Sequence, residues 1–213
     1  MTIESDTRIW DKAAPSYAKS AVADQNGYQR TLQNTREHLK PTDKVLELGC
    51  GTGTTALLLA ESVQSYLATD LSSEMISIAE DKHESGDKKI PSLTFRTATA
   101  EHLVFEKAQF TTILGFNYLH VVPDLAGTLR SVHALLEDRG LFISKTGCLK
   151  DMSFLYRLAL PIGRLIGKVP TVSVFSKDEL EEHFRLAGFD ILKTEFHASD
   201  GSTGRPYIMA RKK

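Results

Sequence analysis

The chain has 213 residues, 41% of them hydrophobic and 25% charged, and a formal net charge of −1 at pH 7. These values predict one globular domain with a large core and exclude an overall basic field that would attract nucleic acid. The two distant cysteines give no disulfide framework, no apolar run approaches the roughly 18 residues of a membrane span, and the polar, acidic N-terminus is unlike a signal peptide. We therefore expect a cytoplasmic protein with no stable membrane association and no nucleic-acid partner.

The first half of the chain predicts two helices and then alternating strands and helices. Residues 6–20 and 25–39 read as helices, the second ending before Lys40-Pro41. Strand candidates are 44–48, 66–70, 93–97, 111–115 and 140–145, and helices are expected at 54–62, 73–83, 100–103 and 124–137. Such alternation predicts a parallel sheet covered on both faces, with ligands at the carboxyl ends of its strands.

The C-terminal part predicts one more helix and two strands. Ser176 and Glu179 have the spacing of a capping box, and Ala187-Gly188 is a favoured helix end. Residues 189–195 and 206–211 then read as strands around a Gly/Ser turn. These features predict a pair of strands at the edge of the sheet.

The most informative stretch is Glu47-Leu48-Gly49-Cys50-Gly51-Thr52-Gly53, which follows the apolar Val45-Leu46. A strand, a glycine turn and a helix start together offer free backbone N–H groups and a close approach to a ligand. Thr54 stands where a dinucleotide fingerprint needs its third glycine, and no lysine follows as a Walker loop requires. The stretch therefore predicts a nucleoside site that does not depend on phosphate.

This motif, followed by Asp70 at the end of the second strand, resembles that of the class I S-adenosylmethionine-dependent methyltransferases. The resemblance implies an α/β, Rossmann-like, doubly wound and mostly parallel seven-stranded sheet, with an antiparallel C-terminal edge hairpin and a small helical lid. It also implies S-adenosylmethionine as cofactor and S-adenosylhomocysteine as product. Residues 1–213 would be a single methyltransferase domain, made of an N-terminal helical cap (1–40), a cofactor-binding core (41–148), a lid insertion (149–174) and a C-terminal helix and strand pair (175–213).

The resemblance assigns the glycine turn to the methionyl part of the cofactor and Asp70 to the ribose hydroxyls. The alternative for Asp70 is an N-cap of the following helix. The full cofactor-binding set that it implies is Tyr17, Glu47, Gly49, Cys50, Gly51, Gly53, Asp70, Leu71, Met75, Thr99, Ala100, Glu101 and Asn117.

Several of these positions leave alternatives open. Thr99 stands where the family usually has an adenine-binding Asp, so its hydroxyl or the backbone N–H of Ala100 would make that contact. Tyr17 would close over the cofactor or be a core aromatic, and Met75 would lie under the adenine or belong to the core. Thr111 replaces a common Asp at the start of the fourth strand.

The segment 115–120 resembles the family's segment between the methionyl group and the acceptor. There, Asn117 or the backbone beside it would meet the amino group of the cofactor, and His120 is the candidate catalytic proton acceptor. The alternative for His120 is a histidine that packs or caps at a helix start. Methyl transfer is an in-line displacement that needs positioning, exclusion of water and proton removal, and no metal-ligand cluster is visible. Asn-Tyr-Leu-His at 117–120, in place of the Asn/Asp-Pro-Pro-Tyr of many amino-methylating enzymes, disfavours a nucleic-acid target.

Residues 149–174 are apolar with interspersed cations, which suggests a substrate lid for a small, partly hydrophobic and anionic acceptor. A plain helical cap and a membrane contact are the alternatives. The leading function is a small-molecule methyltransferase. A non-catalytic S-adenosylmethionine-binding protein is the second hypothesis, and a nicotinamide oxidoreductase, disfavoured by Thr54, is the third.

Overall fold

The computed structural model describes residues 3–152 and 170–213. They form a seven-stranded sheet in the order β3-β2-β1-β4-β5-β7-β6, with helices on both faces. The strands are β1 (Lys44–Leu48), β2 (Ser65–Asp70), β3 (Leu93–Thr97), β4 (Phe110–Phe116), β5 (Leu136–Lys145), β6 (Phe189–Phe196) and β7 (Pro206–Lys212). The helices are α1 (Ile3–Lys19), α2 (Gln25–His38), α3 (Thr54–Leu59), α4 (Ser73–Ser85), α5 (Ala100–Phe105), α6 (Leu125–Leu135) and α7 (Lys177–Leu186), with short 3-10 turns at Ala60–Ser62 and Leu119–Val121.

The predicted sheet is confirmed. Strands β1 to β5 pair in parallel, whereas β7 is antiparallel to both β5 and β6. The carboxyl ends of β1, β2, β3 and β4 therefore meet at one edge, which is where an open α/β sheet binds its ligands. The predicted lid (149–174) falls largely on residues 153–169, which lie outside the described residues. Within the described ranges, no helix combines the length and apolar character needed to cross a membrane.

Successive side chains along the central strands pack alternately into two hydrophobic cores, one on each face of the sheet. Val45 packs beneath α2, α3 and α4, whereas Leu46 packs beneath α5, α6 and α7. Phe142 and Ile143 divide in the same way on β5. Both faces of the sheet are thus buried, and this is why the strands read as nearly continuous apolar runs.

The boundary between α6 and β5 differs from the prediction. The helix expected over 124–137 ends at Leu135, and the strand expected from 140 begins at Leu136. The pairing with β4 is irregular there, because Leu136 lies opposite Phe110 and Leu141 opposite Thr112, and Arg139 takes a φ of 60°. Leu135 and Leu136 are both buried, so the apolar pattern continues across the boundary and does not mark it.

The predicted capping box of α7 is confirmed, with Ser176 and Glu179 bonding each other's backbone N–H groups. Thr111, which replaces the family's Asp, donates its hydroxyl to Asp43 Oδ1 at 2.9 Å and accepts the Lys44 N–H at 3.0 Å. It thereby ties the start of β4 to the start of β1.

Candidate functional site

A cavity of about 580 Å³ opens at the carboxyl ends of the parallel strands. Helix α1 lies over it and contributes Ile3, Asp6, Trp10 and Tyr17 to its wall. The opposite wall comes from the ends of β1 to β4, from residues 121–124 and from α6. Nine of the sequence-predicted residues border this cavity, namely Tyr17, Gly49, Gly51, Asp70, Leu71, Met75, Thr99, Glu101 and Asn117.

The glycine turn has the left-handed backbone that its sequence predicts. Gly49, Gly51 and Gly53 have φ values of 68°, 54° and 75°. Gly49 and Gly51 border the cavity, and a Cβ at Gly51 would lie 3.4 Å from the Tyr17 ring. Gly53 does not border it, because its position is pressed between Ala79 and Phe95, each 2.8 Å from where a Cβ would be. The first two glycines therefore shape the cavity, whereas the third serves helix packing.

Asp70 joins the end of β2 to the glycine turn. Its Oδ2 accepts the Gly51 N–H at 2.9 Å and its Oδ1 accepts the Ser72 N–H at 3.0 Å. The N-cap of α4 is Ser72, whose hydroxyl accepts the Met75 N–H at 3.1 Å, so the N-cap alternative for Asp70 is wrong. Burial raises the pKa of Asp70 above its usual value, against the lowering effect of these N–H donors. A carboxylate has about four acceptor positions, which leaves room for a ligand hydroxyl.

Glu47 lies behind the glycine turn and does not border the cavity. Its Oε2 accepts the Tyr66 hydroxyl at 2.8 Å. Burial raises the pKa of Glu47 to about 8, with a smaller contribution from the charge of Asp70. Glu47 is therefore mainly protonated at pH 7 and supports the turn from beneath.

Cys50 and Ala100 are buried and also do not border the cavity. Cys50 donates its N–H to the Thr69 carbonyl at 2.9 Å, so it joins the glycine turn to β2. Burial holds the pKa of its thiol well above the usual value. Glu47, Cys50, Gly53 and Ala100 are thus the four members of the predicted cofactor set that the structure keeps off the cavity wall.

Thr99 borders the cavity and is also the N-cap of α5. Its Oγ1 accepts the His102 N–H at 3.3 Å, which leaves its own hydroxyl proton for another partner. Next to it, Glu101 faces the cavity and accepts the Thr128 hydroxyl at 3.0 Å. The wall at the end of β3 is therefore polar and already partly hydrogen-bonded.

The segment after β4 turns sharply at the cavity. Asn117 has a φ of 53°, and its N–H donates to the Lys145 carbonyl at 2.6 Å. The Tyr118 ring lies against both Gly49 and Gly115, at 2.7 Å and 3.4 Å from where a Cβ on each would be. Sequence reasoning missed Tyr118, because the contact joins the segments that follow two separate strands, β1 and β4. Trp10, which is not among the predicted site residues, also borders the cavity.

His120 does not border the cavity, although its neighbours Val121 and Val122 do. Thr146 Oγ1 accepts the His120 backbone N–H at 3.1 Å and lies 2.8 Å from the Nδ1 of the same residue. Burial, with a contribution from Arg205, lowers the pKa of His120 to about 4, so the ring is neutral at pH 7. If Nδ1 carries the proton and donates to Thr146, the Nε2 lone pair is available as a base.

Hydrogen bonds hold α1 over the cavity. Asp11 Oδ1 accepts the Ser72 hydroxyl at 2.6 Å, and Asp6 Oδ1 accepts the Thr171 N–H at 3.0 Å. Tyr17 is about half exposed, and its pKa is raised by burial and by the charges of Asp70 and Glu47. These contacts hold α1 as a cover over this edge of the sheet.

Comparison with known proteins identifies the family. Residues 21–194 match the methyltransferase domain family. The highly reducing polyketide synthase ACTTS3 of Alternaria alternata is 30% identical over 176 residues, which are 75% of this chain but 7% of that protein. The chain therefore spans a small fraction of the length of this relative.

Two solved structures share the fold at low sequence identity. The crystal structure of the [4+2]-cyclase SpnF has a TM-score of 0.75 at 17% identity, over 100% of this chain and 97% of that one. Magnesium protoporphyrin IX methyltransferase from Synechocystis, solved with bound S-adenosylhomocysteine, has a TM-score of 0.70 at 18% identity, over 98% of this chain and 96% of that one. The family match, the glycine turn and Asp70 at the end of β2 agree with one another. The chain belongs to the class I S-adenosylmethionine-dependent methyltransferases.

Proposed function

We propose that this chain moves a methyl group from S-adenosylmethionine to a small, partly hydrophobic acceptor by in-line displacement. The observation that carries the proposal is the bond from the Gly51 N–H to Asp70 at the edge of a cavity of about 580 Å³. It places a carboxylate and a glycine backbone, the two features that a ribose and a methionyl chain require, side by side under one cover.

The residues around the cavity fit the cofactor. Asp70 would accept hydrogen bonds from the ribose hydroxyls, and Gly49 and Gly51 would leave room for the methionyl chain. Thr99 and Met75 would flank the adenine, and Tyr17 would close the site from α1. When bound, the cofactor supplies a methyl group already activated on a sulfonium.

The chain's own contribution to the reaction is positioning and exclusion of water. The wall formed by Ile3, Trp10, Phe116, Val121 and Val122 is apolar, which suits a partly hydrophobic acceptor and keeps water out of the reaction centre. His120, neutral at pH 7, would take a proton from the acceptor after a shift that brings Nε2 to the cavity.

A second candidate is a cofactor-binding protein without methyl transfer. It is favoured by the position of His120, which does not border the cavity in the described structure. SpnF, named as a [4+2]-cyclase, shares the fold, so the architecture is compatible with chemistry other than methylation. Release of S-adenosylhomocysteine in the presence of any acceptor excludes this candidate.

Titration calorimetry with S-adenosylhomocysteine tests the cofactor site. We expect Asp70→Asn to weaken binding by at least about tenfold, since one charge-assisted hydrogen bond is worth about that much. Asp81→Asn, the same change at an exposed position of α4, is the control and should bind as the wild type does. Absence of binding by the wild type, or equal binding by Asp70→Asn, contradicts the proposal.

A further inference from the structure

Helix α4 holds the glycine turn through a lysine that lies outside the cavity wall. The Lys82 ammonium donates to the Thr52 carbonyl at 3.1 Å and to the Thr52 hydroxyl at 2.7 Å. Thr52 is 4% exposed and stands between Gly51 and Gly53 in the turn. Neither Lys82 nor Thr52 borders the cavity. Lys82 therefore holds the middle of the turn from behind.

In the described part of the chain, two side chains from outside the turn bond its backbone, and they act on successive residues. Asp70, which borders the cavity, accepts the Gly51 N–H at 2.9 Å. Lys82 donates to the carbonyl of Thr52, the next residue. Burial lowers the pKa of Lys82, so its ammonium gives up part of its hydration where it makes these bonds. The turn is thus held by a carboxylate on the cavity wall and by a cation outside it.

The Thr52 carbonyl matters because its peptide leads into Gly53. Gly53 has a φ of 75° and is the N-cap of α3, and a Cβ there would lie 2.8 Å from Ala79. Ala79 and Lys82 are three residues apart on α4, so they lie on the same helix face. Without Lys82, the buried Thr52 carbonyl would stay unpaired unless its peptide rotated. Such a rotation would displace Thr52 and its neighbour Gly51, which borders the cavity.

The other end of α4 holds the ribose side of the site by separate bonds. Ser72, the N-cap of α4, donates its N–H to Asp70 Oδ1 at 3.0 Å and its hydroxyl to Asp11 Oδ1 at 2.6 Å. Lys82 lies ten residues further along the chain, which is about 15 Å at the rise of an α-helix. Loss of the Lys82 bonds should therefore disturb the glycine turn and leave the bonds of Asp70 to Ser72 in place.

We infer that Lys82 is a positioning residue for the cofactor, which keeps the glycine turn in the conformation that leaves room for the methionyl chain. This inference rests on the proposed methyltransferase function and adds a residue that acts on the same site through Thr52. Removal of Lys82 should weaken the binding of the methionyl part of the ligand and not that of its adenosine part. A contact that serves the fold alone would change the affinity for both parts equally or for neither.

The test is a pair of calorimetric titrations of the full chain, with S-adenosylhomocysteine and with 5′-methylthioadenosine, the second measured directly or by displacement of the first. The second ligand keeps the adenosine and the sulfur but lacks the amino-acid end. We expect Lys82→Met to weaken the binding of S-adenosylhomocysteine about tenfold, as the loss of one hydrogen bond from a charged donor allows. The affinity for 5′-methylthioadenosine should change by less than about twofold. An equal loss for both ligands, or no loss for S-adenosylhomocysteine, overturns the inference.

A double-mutant cycle shows whether Lys82 acts through Thr52. Thr52→Val removes the bond to the hydroxyl and keeps the carbonyl, so we expect about threefold weaker binding of S-adenosylhomocysteine. The double variant should lose little more than Lys82→Met alone, because both changes remove the same contact. Fully additive losses contradict the inference.

Two further comparisons complete the test. If Lys82→Met unfolds the protein, Thr52→Val decides the question, since an unchanged affinity for S-adenosylhomocysteine or an equal loss for both ligands overturns the inference. Lys88→Met removes the same charge at an exposed position that is paired with Glu61. This control should bind both ligands as the wild type does.

The wild-type titrations separate this inference from the proposed function. If the wild type does not bind S-adenosylhomocysteine, the proposed function fails and the inference fails with it. If the wild type binds it and Lys82→Met keeps the ratio of the two affinities, the inference alone fails.

Discussion

The two sides of the ligand-binding edge differ in how their polar groups are paired. At the ends of β1 and β2, Asp70 already holds two backbone N–H groups and Glu47 is bonded to Tyr66. At the end of β5, the Lys145 ammonium donates to the Thr31 hydroxyl at 2.9 Å, and Asp24 acts on it as an opposite charge. The first side is preorganised by hydrogen bonds between carboxyl groups and their neighbours, whereas the second joins β5 to α2 through one side chain.

The side formed by the glycine turn and Asp70 could be predicted from the sequence, whereas the other side could not. The glycine turn and Asp70 lie within 24 residues of one another, counted from Glu47 to Asp70, and form a motif. On the other side, the bond joins Lys145 to Thr31, 114 positions apart in the sequence, which only the folded chain brings together. A site built from distant single residues has no spacing to recognise.

The largest expected effect is a loss of activity on substitution of His120, which tests whether this residue is the general base for the methyl acceptor. We expect His120→Gln to lower kcat/KM by about a thousandfold, within the range of general-base catalysis. Because the pKa of His120 is about 4, the ratio of wild-type to variant rates should stay constant between pH 6 and pH 8. Steady-state kinetics across this range provide the measurement. A ratio that changes steeply near pH 6.5, or no loss of rate, means that His120 is not the base.

The next effect tests the packing role of the third glycine. Gly53→Ala should destabilise the fold by about 3 kcal/mol, because it combines a left-handed φ with a Cβ pressed against Ala79 and Phe95. Gly201→Ala has a similar φ of 74° with no atom within 4 Å, so it isolates the backbone contribution, about 1 kcal/mol. Urea unfolding of both variants measures the difference. Equal losses would show that packing at Gly53 contributes nothing.

A third prediction concerns the buried carboxyl behind the glycine turn. The folded-state pKa of Glu47 is raised to about 8 from an ordinary value of 4.5, so its contribution to stability is lost as the pH rises through that window. Glu47→Gln cannot ionise, and we expect it to be about 2 kcal/mol more stable than the wild type at pH 9. Below pH 4.5 this advantage should vanish.

Denaturant unfolding of the two unliganded proteins at both pH values makes the comparison. Glu61→Gln, at an exposed position, is the control and should show no such pH dependence. A Glu47→Gln advantage that is the same at pH 4 and pH 9 contradicts the raised pKa.

The smallest effect lies far from both sides of the site. Thr111→Val removes the bonds to Asp43 and Lys44 and should cost about 1 kcal/mol of stability. These bonds lie at the amino ends of β1 and β4, whereas the cavity lies at their carboxyl ends. The affinity for S-adenosylhomocysteine should therefore be unchanged. Thermal unfolding and calorimetry measure the two quantities, and a loss of affinity would show that Thr111 also acts on the site.

The sequence predicted the elements better than their junctions. The strands β1 and β3 match their predicted ranges, because polar or glycine residues mark their ends. The junction of α6 and β5 was misplaced, since Leu135 and Leu136 are both apolar and both buried. Periodicity alone does not separate a helix end from a strand start when no turn residue lies between them.

The candidate site divides in the same way. By itself, the sequence determined the methyltransferase fold, the left-handed glycine turn and the position of Asp70 at the end of β2, because short-range backbone geometry demands particular residues there. Only the tertiary structure decided that Tyr118 packs on Gly49, that Glu47 lies behind the turn, and that Lys145 bonds Thr31 on α2. These contacts join residues on separate elements, so they depend on how the sheet and its helices pack rather than on any local pattern.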